Sequence, residues 1–420
     1  MFESALIDPI KYSDPWNLTF EERFAAFNGA SKTIAYFYEK PDTSTFRYRI
    51  FNMVQALADE PSGAVRASWF HRGDIQRMDE VIDRVDALVF CRTRYTPAMG
   101  RLVMRAKNRG IRVVYDVDDL VFNTDYTELV LGTLDQEVDL EAVLNDWFAY
   151  FSRQGALLRL CDHVITTNEY LSNQAKIFAP HISTGIVPNF LNRQQQRIST
   201  QLFERKRADR FRSSAPHQIG YFSGTPTHRR DFAVISQALS RLLDEDSDLQ
   251  LVIVGYLEPG QDLDKHADRI DRYPLQDYLN LQRIIAQTEI NVAPLVDNTF
   301  TNCKSELKFF EAAITGTITI ATPTFTFRRA IVDGQNGFLA KSHEWEAKLR
   351  RAVDLIRDRD RYAEMAVEGF NFAERTYGWN RHAATITRAI FEGGPESVAS
   401  VGSTHPATLP ESGVVPIGAL

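Results

Sequence analysis

With 420 residues the chain exceeds what one ordinary hydrophobic core holds, so two or three domains are expected. Its 44% hydrophobic and 25% charged residues are those of a soluble globular protein, and no run approaches the roughly 18 apolar residues of a membrane-spanning helix. The net charge of −7 excludes a nucleic-acid-binding surface as the main purpose and leaves room for a local basic pocket.

The opening residues MFESALIDPIKYSDPW lack a basic stretch followed by an apolar one, so no signal peptide is expected. FEERFAAF is a short helical pattern, and TIAYFYE (33–39) is the first strong strand. The loop KPDTSTFRYR follows, then a helical run, IFNMVQALA, and a strand near SWFH. VDALVFC (85–91) is an apolar run of strand length; PAMGRLVMRAKNRG is a helix ending on Gly110, and IRVVYDVDD is the next strand. DHVITTN (162–168) is another strand, followed by the helix YLSNQAKIF. Apolar strands alternating with helices predict a parallel sheet covered on both faces.

The pattern pauses over 189–217, a polar stretch poor in apolar periodicity, and the domain boundary is expected within it. It restarts with the strand QIGYFSG (218–224), the helix DFAVISQALSRLL and the strand LQLVIVG. The helix DYLNLQRIIAQT, the strand EINVAPL, a helix within SELKFFEAAITG and the strand TITIAT follow. FRRAIVDG starts a helix, and 344–391 reads as helical. The resulting division is an N-terminal Rossmann-like domain over 1–200 and a C-terminal one over 201–392, whose last helix is free to pack back on the first. A disordered tail over 393–420, rich in Gly, Pro, Ser and Thr, completes the chain. The expected class is α/β, two doubly wound domains facing a cleft, with ligands at the carboxyl ends of the strands.

Three clusters carry candidate chemistry. On a continuous helix Lys304, Lys308 and Glu311 stand at i, i+4 and i+7, apart from an apolar stripe of Leu307, Phe310 and Ile314. Two lysines so placed repel mildly unless an anion lies beside them. A diphosphate would meet Lys304, Ser305 and Lys308 at the helix start, and Glu311 would accept hydrogen bonds from vicinal hydroxyls such as a ribose carries. The same spacing also suits a solvated charged face. In GYFSGTPTHRRDF, Gly224 permits close backbone approach and Thr225 or Thr227 caps a helix whose start carries His228; an ordinary strand–turn–helix junction reads the same way. Asp116, Asp118 and Asp119 sit where a parallel strand ends, so they are expected to face the cleft near an acceptor or the reacting carbon, or to serve as structural caps. In the loop KPDTSTFRYR, Phe46 and Tyr48 suit stacking on a sugar, and Arg47 or Arg49 suits a phosphate.

The order IGYFSGTPTHRRDF, LVIVG, INVAPL, KSELKFFEAAITGTITIATPTF, NGFLA resembles the donor-binding half of GT-B glycosyltransferases of the family 4, or group 1, type. It is most similar to bacterial enzymes that build cell-surface polysaccharides such as O-antigen. VVYDVDDLVF, DHVITTNEYL and VPNF in the first half extend the resemblance over roughly 33–390. It implies a hexosyltransferase that moves a sugar from a nucleoside-diphosphate sugar to a glycan or lipid-linked glycan, with retention at the anomeric carbon. In this family two glutamates eight residues apart hold the sugar and the ribose. The second matches Glu311, whereas the first falls on Cys303, so the sugar contact does not carry over. Positive charge at Lys304 and Lys308 would stabilise the departing diphosphate, with Asp118 as the third catalytic candidate. Gly224, Thr225, His228, Ser305 and Glu311 are expected to bind donor, and Arg47, Asp116 and Asp119 to line the acceptor side. No cofactor, metal or nucleic acid is expected. Cys91, Cys161 and Cys303 fit neither a zinc pattern nor a disulfide framework, which suits a reducing cytoplasm. Peripheral association with the inner face of the membrane is compatible, and oligomeric state, donor base, sugar and linkage are left open. So are two rivals, a nucleotide-sugar epimerase on the same fold and a two-domain sugar-binding protein without chemistry.

Overall fold

The computed structural model describes residues 1–136, 140–224 and 229–392; the expected tail over 393–420 lies outside them. The first sheet comprises β1 (Lys32–Tyr38), β2 (Val65–His71), β3 (Ala87–Cys91), β4 (Arg112–Val117), β5 (His163–Thr166) and β6 (Ser183–Ile186), in the order β2-β1-β3-β4-β5-β6. The second comprises β7 (His217–Phe222), β8 (Leu249–Val254), β9 (Ile270–Tyr273), β10 (Ile290–Ala293), β11 (Ile318–Ala321) and β12 (Phe338–Leu339), in the order β12-β11-β10-β7-β8-β9. Every pairing is parallel: Tyr36 of β1 lies between Trp69 and Val89, and Tyr221 of β7 beside Ile253. Helices cover both faces, so strands such as Ala87–Cys91 are buried at every residue and carry no polar alternation.

Local chemistry sets the helix ends. Thr96 accepts from the Met99 amide at 3.2 Å and Pro97 occupies the first turn of the helix Pro97–Asn108, where its missing N–H costs nothing. Gly316 closes the helix Leu307–Ala313 at φ +70°, and a Cβ there would come within 2.8 Å of the Phe203 ring.

Two features depart from the sequence reading. The stretch expected to be a polar break is a helix, Arg193–Ala208, which buries Gln195, Ser199, Leu202, Phe203 and Lys206. Its helical period is carried largely by polar residues because its buried face meets polar partners: the Ser199 hydroxyl donates to Gln282 Oε1 at 2.8 Å and Lys206 Nζ to the Gly316 carbonyl at 2.9 Å. A boundary at residue 200 would cut this helix. The first residues depart from it as well. The Phe2 amide bonds the Gln287 carbonyl at 2.9 Å, and Ile10 exchanges hydrogen bonds with Asn280, so the first residues pack on the C-terminal domain. The helix Ala383–Phe391 packs on the N-terminal sheet. A Cβ at Gly185 of β6 would lie 3.3 Å from that of Ala389, and Lys32 Nζ sits 4.6 Å from the Phe391 ring centre.

Candidate active site

In doubly wound sheets, ligands bind beyond the strand carboxyl ends where the strand order reverses. The reversals lie between β1 and β3 in the first sheet and between β7 and β10 in the second. A cavity of about 330 Å³ opens there, with walls from both domains. One wall holds Thr45, Arg47, Tyr48, Arg92, Asp118 and Asp119; the other holds Gly224, Tyr278, Lys304, Ser305, Lys308 and Glu311.

Lys304, Lys308 and Glu311 do meet on one wall, but not as one helical stripe. A short helix, Thr299–Cys303, ends first, Lys304 is extended (φ −70°, ψ 151°), and a second helix runs Leu307–Ala313. The Cys303 carbonyl accepts from Asn168 Nδ2 at 2.8 Å and the Lys304 carbonyl from Thr326 Oγ1 at 2.9 Å. Those are the two acceptors that a continuous helix would give to the amides of Leu307 and Lys308. The second helix has seven residues, so the positive charge here comes from the lysines rather than from a helix dipole.

Lys308 is half-buried; its Nζ donates to the Phe222 carbonyl at 2.7 Å and lies 4.4 Å from the Tyr221 ring centre. Burial pushes its pKa down to about 8, Lys304 adding to the effect while Asp231 and Glu311 oppose it. Lys304 Nζ stands 3.6 Å from Asp119 Oδ1 and 4.3 Å from the Phe300 ring centre.

Glu311 is 5% exposed. Its Oε1 accepts from Gln195 Nε2 at 3.0 Å, from Arg47 Nη2 at 3.4 Å and from the Tyr48 hydroxyl, whose own pKa burial raises well above the usual value. No hydrogen bond among the described residues reaches Oε2. A turn of π-helix, Arg47–Phe51, aims Arg47 and Tyr48 at this carboxylate. Arg47, expected on the acceptor side, reaches across to the wall of the second domain, its guanidinium 5.1 Å from the Tyr278 ring centre. Phe46 is fully buried and stacks on nothing in the cleft.

The three aspartates separate. Asp116 does not face the cleft: it is 2% exposed and holds Arg49 through two 2.8 Å hydrogen bonds, to Nε and Nη2. The reason is register, since Asp116 is still within β4, opposite Cys91 of β3, whereas Asp118 and Asp119 lie past the strand end. Burial raises the Asp116 pKa against the opposing pull of Arg49. Asp118 accepts from Thr45 Oγ1 at 3.1 Å and from Arg92 Nη1 at 3.2 Å, and the same nitrogen is 3.7 Å from Asp119. Ser305 accepts from Asn189 Nδ2 at 2.9 Å; Asn189 in turn accepts from Arg49 Nη1 at 3.1 Å, which links the buried pair to the cavity wall that holds Lys304 and Lys308. Gly224 is at the cavity rim, and a Cβ there would meet nothing within 4 Å, so no neighbour in this structure requires glycine. Thr225 and His228 lie outside the described residues. Cys303, at the first-glutamate position, is fully buried and no part of the wall.

Sequence reasoning missed Arg92, Asn189, Gln195 and Tyr278. Arg92 directly follows the strand 85–91, so the strand-end logic applied to the aspartates would have found it. Asn189 lies within VPNF, whereas Gln195, inside the polar stretch, gave no signal.

Residues 216–358 match the family described as glycosyl transferases group 1. Among solved structures, the chain is similar to the Anabaena protein Alr3699/HepE in complex with UDP and glucose, at TM-score 0.57 and 12% identity over 85% of this chain and 98% of that one. It is similar to the sucrose-phosphate synthase of Thermosynechococcus elongatus, at TM-score 0.54 and 13% identity over 85% and 98%. A glycosyltransferase from Rickettsia africae is similar at TM-score 0.53 and 12% identity over 86% and 99%. No curated protein matches the chain by sequence. At these identities the structural likeness is one of fold, and the fold is GT-B. The segment 216–358 is thus a group 1 glycosyltransferase domain, set in a chain whose overall fold is GT-B.

Proposed function

We propose that the chain transfers a hexose from a nucleoside-diphosphate sugar to a hydroxyl of a glycan or lipid-linked glycan, with retention at the anomeric carbon, in cell-surface polysaccharide synthesis. The observation that carries this reading is the cavity wall on which Lys304, Lys308 and Glu311 converge, facing Asp118 and Asp119. The diphosphate lies between the two ammonium groups, and the ribose hydroxyls donate to the open Oε2 of Glu311. As the bond from the anomeric carbon to the diphosphate breaks, its electron pair leaves on the diphosphate oxygen. Charge grows there, beside cations already in place. The acceptor oxygen forms the new bond while its proton passes to that departing oxygen, with Asp118 orienting the acceptor hydroxyl.

Protein charge, rather than a metal, neutralises the diphosphate in this reading. Asp116 is committed to Arg49, and a cation at Asp118 and Asp119 would have to displace Arg92. No helix among the described residues is long and apolar enough to cross a membrane, and we place the enzyme on the cytoplasmic side, at the membrane surface for a lipid-linked acceptor. The Anabaena protein was also solved with UDP-glucose, which makes uridine donors the first to test.

A thermal-shift series with nucleoside diphosphates and nucleotide sugars tests the donor assignment. A true donor at a hundred times its Kd stabilises the fold by about 2.7 kcal/mol. No shift with any nucleotide, together with no nucleoside-diphosphate release, would remove it.

A further inference from the structure

A second cavity, of about 390 Å³, lies in the N-terminal domain and shares a loop with the first. It opens at the carboxyl ends of β1 and β3 and is lined by Arg72, Arg94, Arg101 and Arg153 against one carboxylate, Glu39. Its floor is apolar: Phe37, Ile75, Pro97 and Met99. In a chain of net charge −7, four guanidiniums around one concavity are a local reversal of sign.

Glu39 is paired with Arg94, whose Nε donates to Oε1 at 2.6 Å and whose Nη2 donates to Oε2, and the charge of Arg72 adds to the attraction on that carboxylate. Arg153 spends its Nε on the Tyr95 carbonyl at 3.0 Å. Among the described residues, the guanidiniums of Arg72 and Arg101 make no hydrogen bond or ion pair, although both line the cavity. The loop after β3 joins this cavity to the reaction cavity. Arg92 turns towards Asp118, and two residues on Arg94 turns the other way. Tyr150 stands between them, accepting from Arg92 Nη2 at 3.1 Å while its ring centre lies 5.8 Å from Arg94.

We propose that this cavity binds an oxyanion of the acceptor, a phosphate or a carboxylate, held by the forked donors of Arg72 and Arg101 while the adjacent sugar reaches past Arg92 to Asp118. Guanidinium forks match such oxyanions geometrically, and the apolar floor takes the face of a sugar ring or the first carbons of a lipid. The inference rests on the glycosyltransferase reading and adds to it that the acceptor is anionic close to its reactive hydroxyl.

The test is calorimetric titration of the full chain with inorganic pyrophosphate, which both cavities suit. Wild type is expected to show two sites. Arg72→Gln with Arg101→Gln, both exposed and remote from the core, is expected to weaken one site by at least about tenfold, on the scale of one charge-assisted hydrogen bond, and to leave the other. Lys304→Met with Lys308→Met is expected to do the reverse. Undiminished binding at both sites in the arginine variant, or a single site in wild type that only the lysine variant removes, overturns the anion pocket. Two intact sites in the lysine variant would instead sink the donor reading and leave the pocket standing. With the pocket established, initial rates on a phosphorylated and on a uronic acid-bearing acceptor, in wild type and in the arginine variant, distinguish the two sources. The true one shows a raised KM in the variant, and equal KM on both would contradict a role in acceptor binding.

Discussion

Lys308 offers the sharpest perturbation, because its burial ties donor binding to pH. With its pKa near 8 in the free protein, the charge that a diphosphate needs is lost in a range where an ordinary exposed lysine remains protonated. If only the protonated form binds, the competent fraction falls from about 0.9 at pH 7 to about 0.1 at pH 9, so the apparent Kd for a nucleotide sugar rises about tenfold. The diphosphate of a nucleotide sugar carries no proton to lose over this interval, so the change reports on the protein. Lys308→Met should bind more weakly and show no such pH dependence. Its turnover should fall by about 10²–10³, more than its affinity, because charge on the diphosphate grows as the bond breaks. Stability moves the other way. The folded-state pKa lies below the unfolded value of 10.5, so the burial cost is fully present below pH 8 and is relieved as pH climbs towards 10.5. That rise should be smaller in Lys308→Met, which keeps only the part due to buried Lys206, whose pKa burial also lowers. Isothermal titration and thermal melts from pH 6.5 to 9.5 read both effects. A wild-type Kd that stays flat to pH 9, or a Met variant that keeps the wild-type profile, would refute the reasoning.

Three further outcomes are expected. Glu311→Gln keeps the shape but loses the charge that Arg47 and the ribose both use, and should weaken nucleotide binding by about 1.5–3 kcal/mol; unchanged affinity by titration would remove the ribose role. Asp116→Asn leaves Arg49 buried without its counter-charge and should cost about 3–5 kcal/mol by denaturant unfolding. A loss under about 1 kcal/mol would instead mean that Asp116 meets solvent in the cleft. Truncation after Glu392 removes a segment with too little apolar content to offset its ordering entropy, so melting temperature and turnover should hold, and a large fall in either would show that the tail docks.

The sheets were legible where strands are buried on both faces. VDALVFC and LQLVIVG read as continuous apolar runs because no residue of β3 and only Gln250 of β8 escapes burial. β6 escaped notice: Ser183–Ile186 is four residues long and includes a glycine whose Cβ would meet His163 of β5 and Ala389 of the returning helix. The helix Arg193–Ala208 was illegible for a different reason. Its inner face adds Gln195, Ser199 and Lys206 to Leu202 and Phe203, so most of the 3.6-residue period is carried by polar residues, and only the partners across the interface make it visible. At the site, residue choice was more legible than conformation. Lys304, Lys308 and Glu311 converge as the spacing suggested, but by way of a break that Asn168 and Thr326 impose from elsewhere in the chain. For the DVDD motif, a shift of two residues in where the strand ends decided which acids face the cleft.

The measurement closest to the central claim is steady-state release of nucleoside diphosphate from a donor and acceptor pair, with and without EDTA, for wild type, Lys304→Met and Lys308→Met. Neutralisation by protein charge predicts that EDTA changes little and that either Met variant loses about 10²–10³ in kcat. A strict requirement for a divalent cation, with both Met variants still turning over, would contradict it and move the diphosphate to Asp118 and Asp119.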